Sequence, residues 1–184
     1  MPRINHTAIL VNDIHETLSV LPVDCVQGEI EEFKSEGTKE VYVNSSGVNA
    51  SSLLLIQAIG PGPYQSSSQN RGPGLHHICI TVEEITSYGD ELMDKHLFLH
   101  PLSLKTIKRN IIWLCRPGIP FLIEVVQNVS AVPVQPAYFV KHVEVPMDSW
   151  SRNIVNGILG NFVIQSTDAK TRLHLCNSNE PIVL

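Results

Sequence analysis

The chain has 184 residues and a formal net charge of −5, with 43% apolar and 17% charged residues, a composition that supports a packed core and excludes a disordered chain. Only Lys105, Lys108 and Arg109 approach a basic cluster, which argues against nucleic acid as a partner. No run approaches the roughly 20 apolar residues that cross a bilayer, no secretory leader is visible, and Cys25, Cys79, Cys115 and Cys176 are scattered without a CxxC pair, so a soluble protein of a reducing, cytoplasmic compartment is expected.

The first strand is HTAILV, followed by a short helix capped by Asp13, with Glu16 three residues on and Ile14, Leu18 and Leu21 on one face. Three strands are predicted next, over about 23–33, 38–45 and 52–59. Residues 60–74, GPGPYQSSSQNRGPG, read as a linker. The order then repeats: a strand HICITV, a helix over about 83–96 with Ile85, Leu92 and Met93 inward, and strands over about 98–103, 107–115 and 120–127. A further βα start follows near 138. Asp148 caps its helix, Gly160 ends it and Trp150, Ile154 and Ile158 face inward. NFVIQ, TRLHL and PIVL then read as strands.

The repeat is direct. NHTAILVNDI at 5–14 matches HHICITVEEI at 76–85, placing His6 on His77 at an offset of 71 residues. LLLIQAI at 53–59 is set against PFLIEVV at 120–126, which places Gln57 on Glu124 at an offset of 67. HVEVPMD at 142 is a third echo. The predicted fold is α+β: two βαβββ modules over 1–128 forming a cup, and an incomplete third module over 129–184. Strand alternation puts Thr7, Ile9 and Val11 under the helix, and His6, with His77, Cys79 and Thr81, on the concave face. Two imidazoles, an amide and a carboxylate at repeat-related positions suit a borderline divalent ion, so His6, Gln57, His77 and Glu124 are the expected ligands. His76 is expected to face away. His142 shares the repeat position of the two ligand histidines but lacks a carboxylate partner, so no second complete site is expected.

INHTAILVNDI, SEGTKEVYVNSSG, LLIQAIGPGP, GPGLHHICITVEEI and NIIWLCRPGIPFLIEVV together resemble the vicinal oxygen chelate (glyoxalase/bleomycin resistance/extradiol dioxygenase) superfamily, and within it the methylmalonyl-CoA epimerases. The resemblance covers residues 3–128. Residues 129–184 have no counterpart in it. It implies a metal cup with the same four ligands and a carboxylate base at the position of Glu40.

The expected chemistry is removal of a proton α to a metal-bound carbonyl, as in an epimerase, on a small molecule such as an acyl-CoA or related thioester. Glu40, sharing a face with Tyr42, is the expected base, and Glu124 the carboxylate on the opposite side. Cobalt, manganese, nickel or zinc suits this chemistry. Two alternatives stand beside it: an iron(II) oxygenase using His6, His77 and Glu124, against which a fourth ligand counts, and a small-molecule binding module without turnover. The unpaired edge and the apolar helix stripe of residues 129–184 point to a homodimer, or to a segment folded back over the cup.

Overall fold

The computed structural model describes residues 3–45, 50–127, 137–176 and 178–184. β1 (Arg3–Val11) leads into α1 (Ile14–Ser19), where the Asp13 carboxylate accepts from the Glu16 N–H at 2.9 Å. The strand expected over 23–33 is two strands, β2 (Cys25–Gln27) and β3 (Glu31–Phe33), both paired with β4 (Thr38–Ser45). β5 (Ala50–Ala58) returns parallel to β1.

The second module repeats this path. β6 (Gly74–Val82) and α3 (Ile85–Asp94) are followed by β7 (Phe98–Leu99), β8 (Ile111–Cys115) and β9 (Leu122–Gln127), which returns parallel to β6. Three segments differ from expectation, one being the strand expected over 107–115, which begins only at Ile111 after a 3-10 turn over Ile107–Arg109. Residues 63–71 of the supposed linker form α2 (Pro63–Arg71), with proline in the first turn, where a missing N–H costs nothing, and Gly72 at φ 75° ending it. The strand expected over 98–103 stops at Leu99. Residues 103–106 instead form α4 (Ser103–Thr106), because Ser103 Oγ accepts from the Trp113 N–H and donates to the Trp113 carbonyl, folding this stretch onto β8.

β1 and β6 pair antiparallel at the centre, giving the order β2-β4-β5-β1-β6-β9-β8-β7. One face of this sheet carries Ile9, Val11, Val41, Val43, Leu53, Leu55, Ile78, Ile80, Ile123 and Val125 into the main core. The concave face holds a separate apolar cluster of Ala8, Leu10, Leu54 and Ile56, against which Tyr64 of α2 packs. Both faces of the central strands are therefore covered.

β10 (Ala137–Tyr138) pairs with β5, and β11 (Val140–Val145), α5 (Ser149–Leu159), β12 (Val163–Gln165), β13 (Arg172–Leu175) and β14 (Ile182–Val183) follow. Asp148 and Gly160 bound α5 as anticipated. Its order is β12-β11-β13-β14: the strand after the helix lies directly against β11, instead of passing to the far edge as in the two full modules. The third segment therefore has the strand, helix and three strands of a module, in a different spatial order, where an incomplete copy was expected. The buried face of α5 is Ser151, Val155, Ile158 and Leu159, with Trp150 exposed under the Arg116 guanidinium, 3.9 Å from its ring centroid. The inward stripe is thus rotated from the one expected through Trp150. That face packs into the same core as the first two modules, so the stripe from which a homodimer is expected is covered within the chain itself. The boundary expected at 128 and the side chain of Met93 lie outside the described residues.

Candidate metal centre

His6 and His77 meet at the middle of the β1–β6 pair. Their Nε2 atoms are 3.1 Å apart, and Glu124 Oε2 lies 3.6 Å from the first and 3.7 Å from the second. Two donors on one ion with bonds of about 2.1 Å and angles near 90–110° are roughly 3.0–3.4 Å apart. The 3.1 Å between the imidazoles falls in that range, and the 3.6 and 3.7 Å to Glu124 lie just beyond it, so a small movement of the carboxylate would bring all three onto one cation. His6 is 7% exposed and His77 2%.

Two β-bulges bring them there. On β1, Ile4 pairs with Ile80 and His6 with Cys79, so Asn5 is an extra residue. On β6, Leu75 pairs with Ile9 and His77 with Ala8, so His76 is extra. Each extra residue hydrogen-bonds the imidazole that follows it: Asn5 Oδ1 lies 3.0 Å from His6 Nδ1, and His76 Nδ1 lies 2.9 Å from His77 Nδ1. Asn5 Nδ2 donates to Thr81 Oγ1, which leaves the amide oxygen facing His6. With both Nδ1 atoms engaged, both Nε2 lone pairs point at the shared position, the arrangement by which outer partners orient metal-binding histidines. His76 does not turn away as alternation predicts, because the bulge suspends the alternation there.

Gln57 is not part of this group. Its Oε1 accepts from the Ile14 N–H at 3.2 Å, at the start of α1, and it shares a face with Leu53 and Leu55. Gln127 does the same for Ile85 at 3.3 Å, at the start of α3. The two glutamines are the true equivalents, since Val11 pairs with Gln57 and Val82 with Gln127. The equivalent of Glu124 is then Leu54, because Ala8 pairs with Leu54 and Cys79 with Glu124. The offset of 67 was three residues short. An odd slip moves every side chain of a strand to the other face, and the continuous apolar runs LLLI and FLI gave no signal against it. A gapless offset of 70 would have set glutamine on glutamine.

Cys79, which strand alternation puts on the concave face, joins this group as a further donor side chain. It hydrogen-bonds Glu124, and its thiol lies within 4.8 Å of donor atoms of both His6 and Glu124. Burial and the neighbouring carboxylate push that thiol up. Burial holds His6 down at about 4 and His77 well below its ordinary value, and raises the Glu124 carboxyl. Neutral imidazoles are the form that binds a cation.

The rings of Tyr42 and Trp113, at equivalent places on β4 and β8, stand edge-on to His6 and His77 at 5.7 and 5.0 Å. Trp113 is 8% exposed and its buried indole N–H has no hydrogen-bond partner among the described residues. Glu40 lies on the same face as Tyr42, with Val41 and Val43 in the core behind. Its carboxyl is raised by burial and by Glu36 and Glu31, against the Thr38 hydroxyl, which donates to it at 2.8 Å. Lys105, Lys108 and Arg109 lie on exposed positions of the helical stretch before β8.

A cavity of about 280 Å³ lies beside the centre. Leu10 and His76 form one wall, Arg71 of α2 another, and Val145, Pro146, Thr171 and Leu184 of the C-terminal segment close it. That segment is thus folded back beside the cup.

A model of the Glyoxalase/Bleomycin resistance protein/Dioxygenase superfamily matches residues 5–97. The chain belongs to that superfamily. Among solved structures, a hypothetical protein from Bacillus halodurans is similar at 21% identity and a TM-score of 0.54, over 72% of this chain and 99% of its own. Methylmalonyl-CoA epimerase from Mycobacterium tuberculosis is similar at 17% identity and 0.50, over 73% of this chain and 88% of its own. A Streptomyces coelicolor methylmalonyl-CoA epimerase variant in complex with 2-nitronate-propionyl-CoA gives 18% and 0.53, over 72% and 98%. These likenesses establish the superfamily's cup of paired modules. No curated protein sequence matches the chain. No helix among the described residues is long and apolar enough to cross a membrane.

Proposed function

We propose that this superfamily member is a metal-dependent enzyme that removes a proton α to a carbonyl of a small molecule, an isomerase or epimerase in type. The observation that carries the reading is the convergence of His6, His77 and Glu124 to within 3.1–3.7 Å on the same concave face as a carboxylate of raised pKa, Glu40. A divalent ion held by the three donors would polarise the carbonyl and offset the negative charge that appears as the proton leaves. Glu40 accepts the proton, while the C–H electron pair stays with the substrate carbon. A carboxyl raised by burial is better matched to that task near neutral pH than a solvated one. Glu124, contributed by the opposite module, is the second carboxylate that proton return from the other side requires.

The test is α-proton exchange with solvent deuterium across a panel of acyl thioesters and 2-substituted carbonyl compounds, followed by NMR on the metal-loaded chain. Exchange is expected for one class, and Glu40→Gln is expected to slow it roughly 100- to 10,000-fold with metal content unchanged. Full exchange in that variant removes Glu40 from the mechanism.

A second reading rests on Gln57. With its amide on the far face, His6, His77 and Glu124 form a two-histidine, one-carboxylate set, the donor chemistry suited to iron(II) and oxygen. Oxygen uptake by the iron(II)-loaded chain with a catecholic or enolic substrate, and no proton exchange with the thioester panel, decides for it.

A further inference from the structure

The C-terminal sheet carries a second constellation, which the lack of a visible carboxylate partner for His142 had excluded. His142 on β11 lies directly opposite His174 on β13 in the antiparallel ladder, and their rings stack at 4.0 Å between centroids. Glu144, two residues beyond His142, points to the same face, and its Oε1 is 2.8 Å from His174 Nε2. One donor atom from each of the three lies within 4.8 Å of the others. The opposite face of these strands carries Val143, Val145, Leu173 and Leu175 into the core, so the three polar side chains stand on the uncovered face.

Two further observations set this group apart from an ordinary surface ion pair. Val140 pairs with Leu175 and His142 with His174, so Lys141 is an extra residue in a bulge immediately before the histidine. Asn5 and His76 occupy that position before His6 and His77. In addition, the second carboxylate oxygen of Glu144 is held by Arg172 Nη1 at 3.3 Å, and Arg172 is paired in turn with Asp168. The guanidinium charge is balanced by Asp168, so Glu144 adds a net negative charge beside two imidazoles while its orientation is fixed from behind.

We propose that His142, Glu144 and His174 form a second divalent-metal site, separate from the cup, that ties β11 to β13. Two imidazoles and a carboxylate select a borderline cation of the zinc class over calcium or magnesium, which prefer all-oxygen sets. Three protein donors on an accessible face leave the remaining coordination to water. The site spans a four-stranded sheet with one covered face, and a cross-strand clamp stabilises such a sheet by binding its folded form.

The experiment is a zinc titration of the full chain, purified metal-free, by calorimetry, with histidine side-chain NMR on the same samples. The His142 and His174 resonances are expected to shift stoichiometrically with zinc. They are expected to do so also in a His6→Ala, His77→Ala chain, in which the cup has lost its donors. The His142→Ala, His174→Ala chain is expected to bind one zinc fewer than the unaltered chain. Glu144→Gln, which keeps the side chain's volume, is expected to weaken this site by about tenfold or more. Unshifted His142 and His174 resonances in the unaltered chain through several equivalents of zinc overturn the proposal. So does an unchanged stoichiometry in the doubly substituted chain.

Discussion

The two halves of the cup share a path and differ in what they contribute. Each has a bulge before its central histidine, an aromatic ring edge-on to that histidine, and a glutamine whose side chain accepts from the first N–H of its helix. The second half adds Glu124 and Cys79, where the first has Leu54 and Ala8, buried against Leu10, Ile56 and Tyr64. The scaffold is therefore duplicated, while the donors sit mostly on one side. The difference shows that backbone devices and the candidate donor side chains are separable. The bulges and glutamines build a module, and the residue at the Leu54/Glu124 position decides whether that module supplies a carboxylate.

The sharpest way to break this comparison is to make the second half like the first. Structural zinc sites of four ligands bind with roughly 10–16 kcal/mol, or about 2.5–4 kcal/mol per donor. Glu124→Leu is thus expected to weaken zinc or cobalt binding in the cup by several hundredfold in a calorimetric titration. A loss below tenfold would show that Cys79 or another group carries the carboxylate's share.

Acid titration tests the burial of the histidines. His6 stays neutral in the folded chain down to about 4, against 6.5 for the free side chain, so the unfolded chain binds more protons between those values. Metal-free protein is expected to lose stability as pH falls through that window, by on the order of 3 kcal/mol from His6 alone. Denaturant melts at a series of pH values measure it, and His6→Gln should flatten the profile.

Smaller effects belong to the bulged residues. Asn5→Ala and His76→Ala each remove the partner that orients a ligand imidazole, and roughly tenfold weaker metal binding is expected for each. Equal losses in the two variants would confirm that the modules use the device alike. The smallest effect is predicted for Gln57→Leu. Losing the acceptor for the Ile14 N–H should cost about 1 kcal/mol of stability in a denaturant melt, with metal content unchanged. A drop in metal content would return Gln57 to the ligand set.

Much of this was legible in the sequence because the repeat is carried by strands with strong patterning. The His6/His77 match, the faces of β1 and β6 beyond their bulges, and the caps at Asp13 and Asp148 follow from local rules that tertiary contacts did not override. Failures fell where local rules are silent. A strand apolar on both faces, such as LLLI, fixes no register, so Gln57 was set against the wrong partner. In α5 the expected Ile154 and Ile158 pack on the core, while Trp150 stays exposed beneath the Arg116 guanidinium, a contact between distant segments that helical periodicity does not show. Glu144 carries no local signal as a partner of His142, because His174, which it contacts, is 30 residues away and meets it only through the β11–β13 pairing. Asn-His and His-His at matched positions were a readable sign of the bulges. Two polar residues in succession at the same point of both repeats do not fit strict alternation.

The bulges also bear on how this chain tolerates insertion and deletion. Removing one residue from a strand normally turns everything beyond it inside out. At Asn5, His76 and Lys141 the reverse holds. With the extra residue gone, Ile4 and His6, Leu75 and His77, and Val140 and His142 become neighbours that already point to opposite faces, the first of each pair to the core and the second away from it. Single-residue deletion at these three places would restore a plain ladder without reversing the faces of the described strand residues on either side. Strand length is there a variable quantity, and the histidines can gain or lose a supporting neighbour in one step without the fold being rebuilt around them.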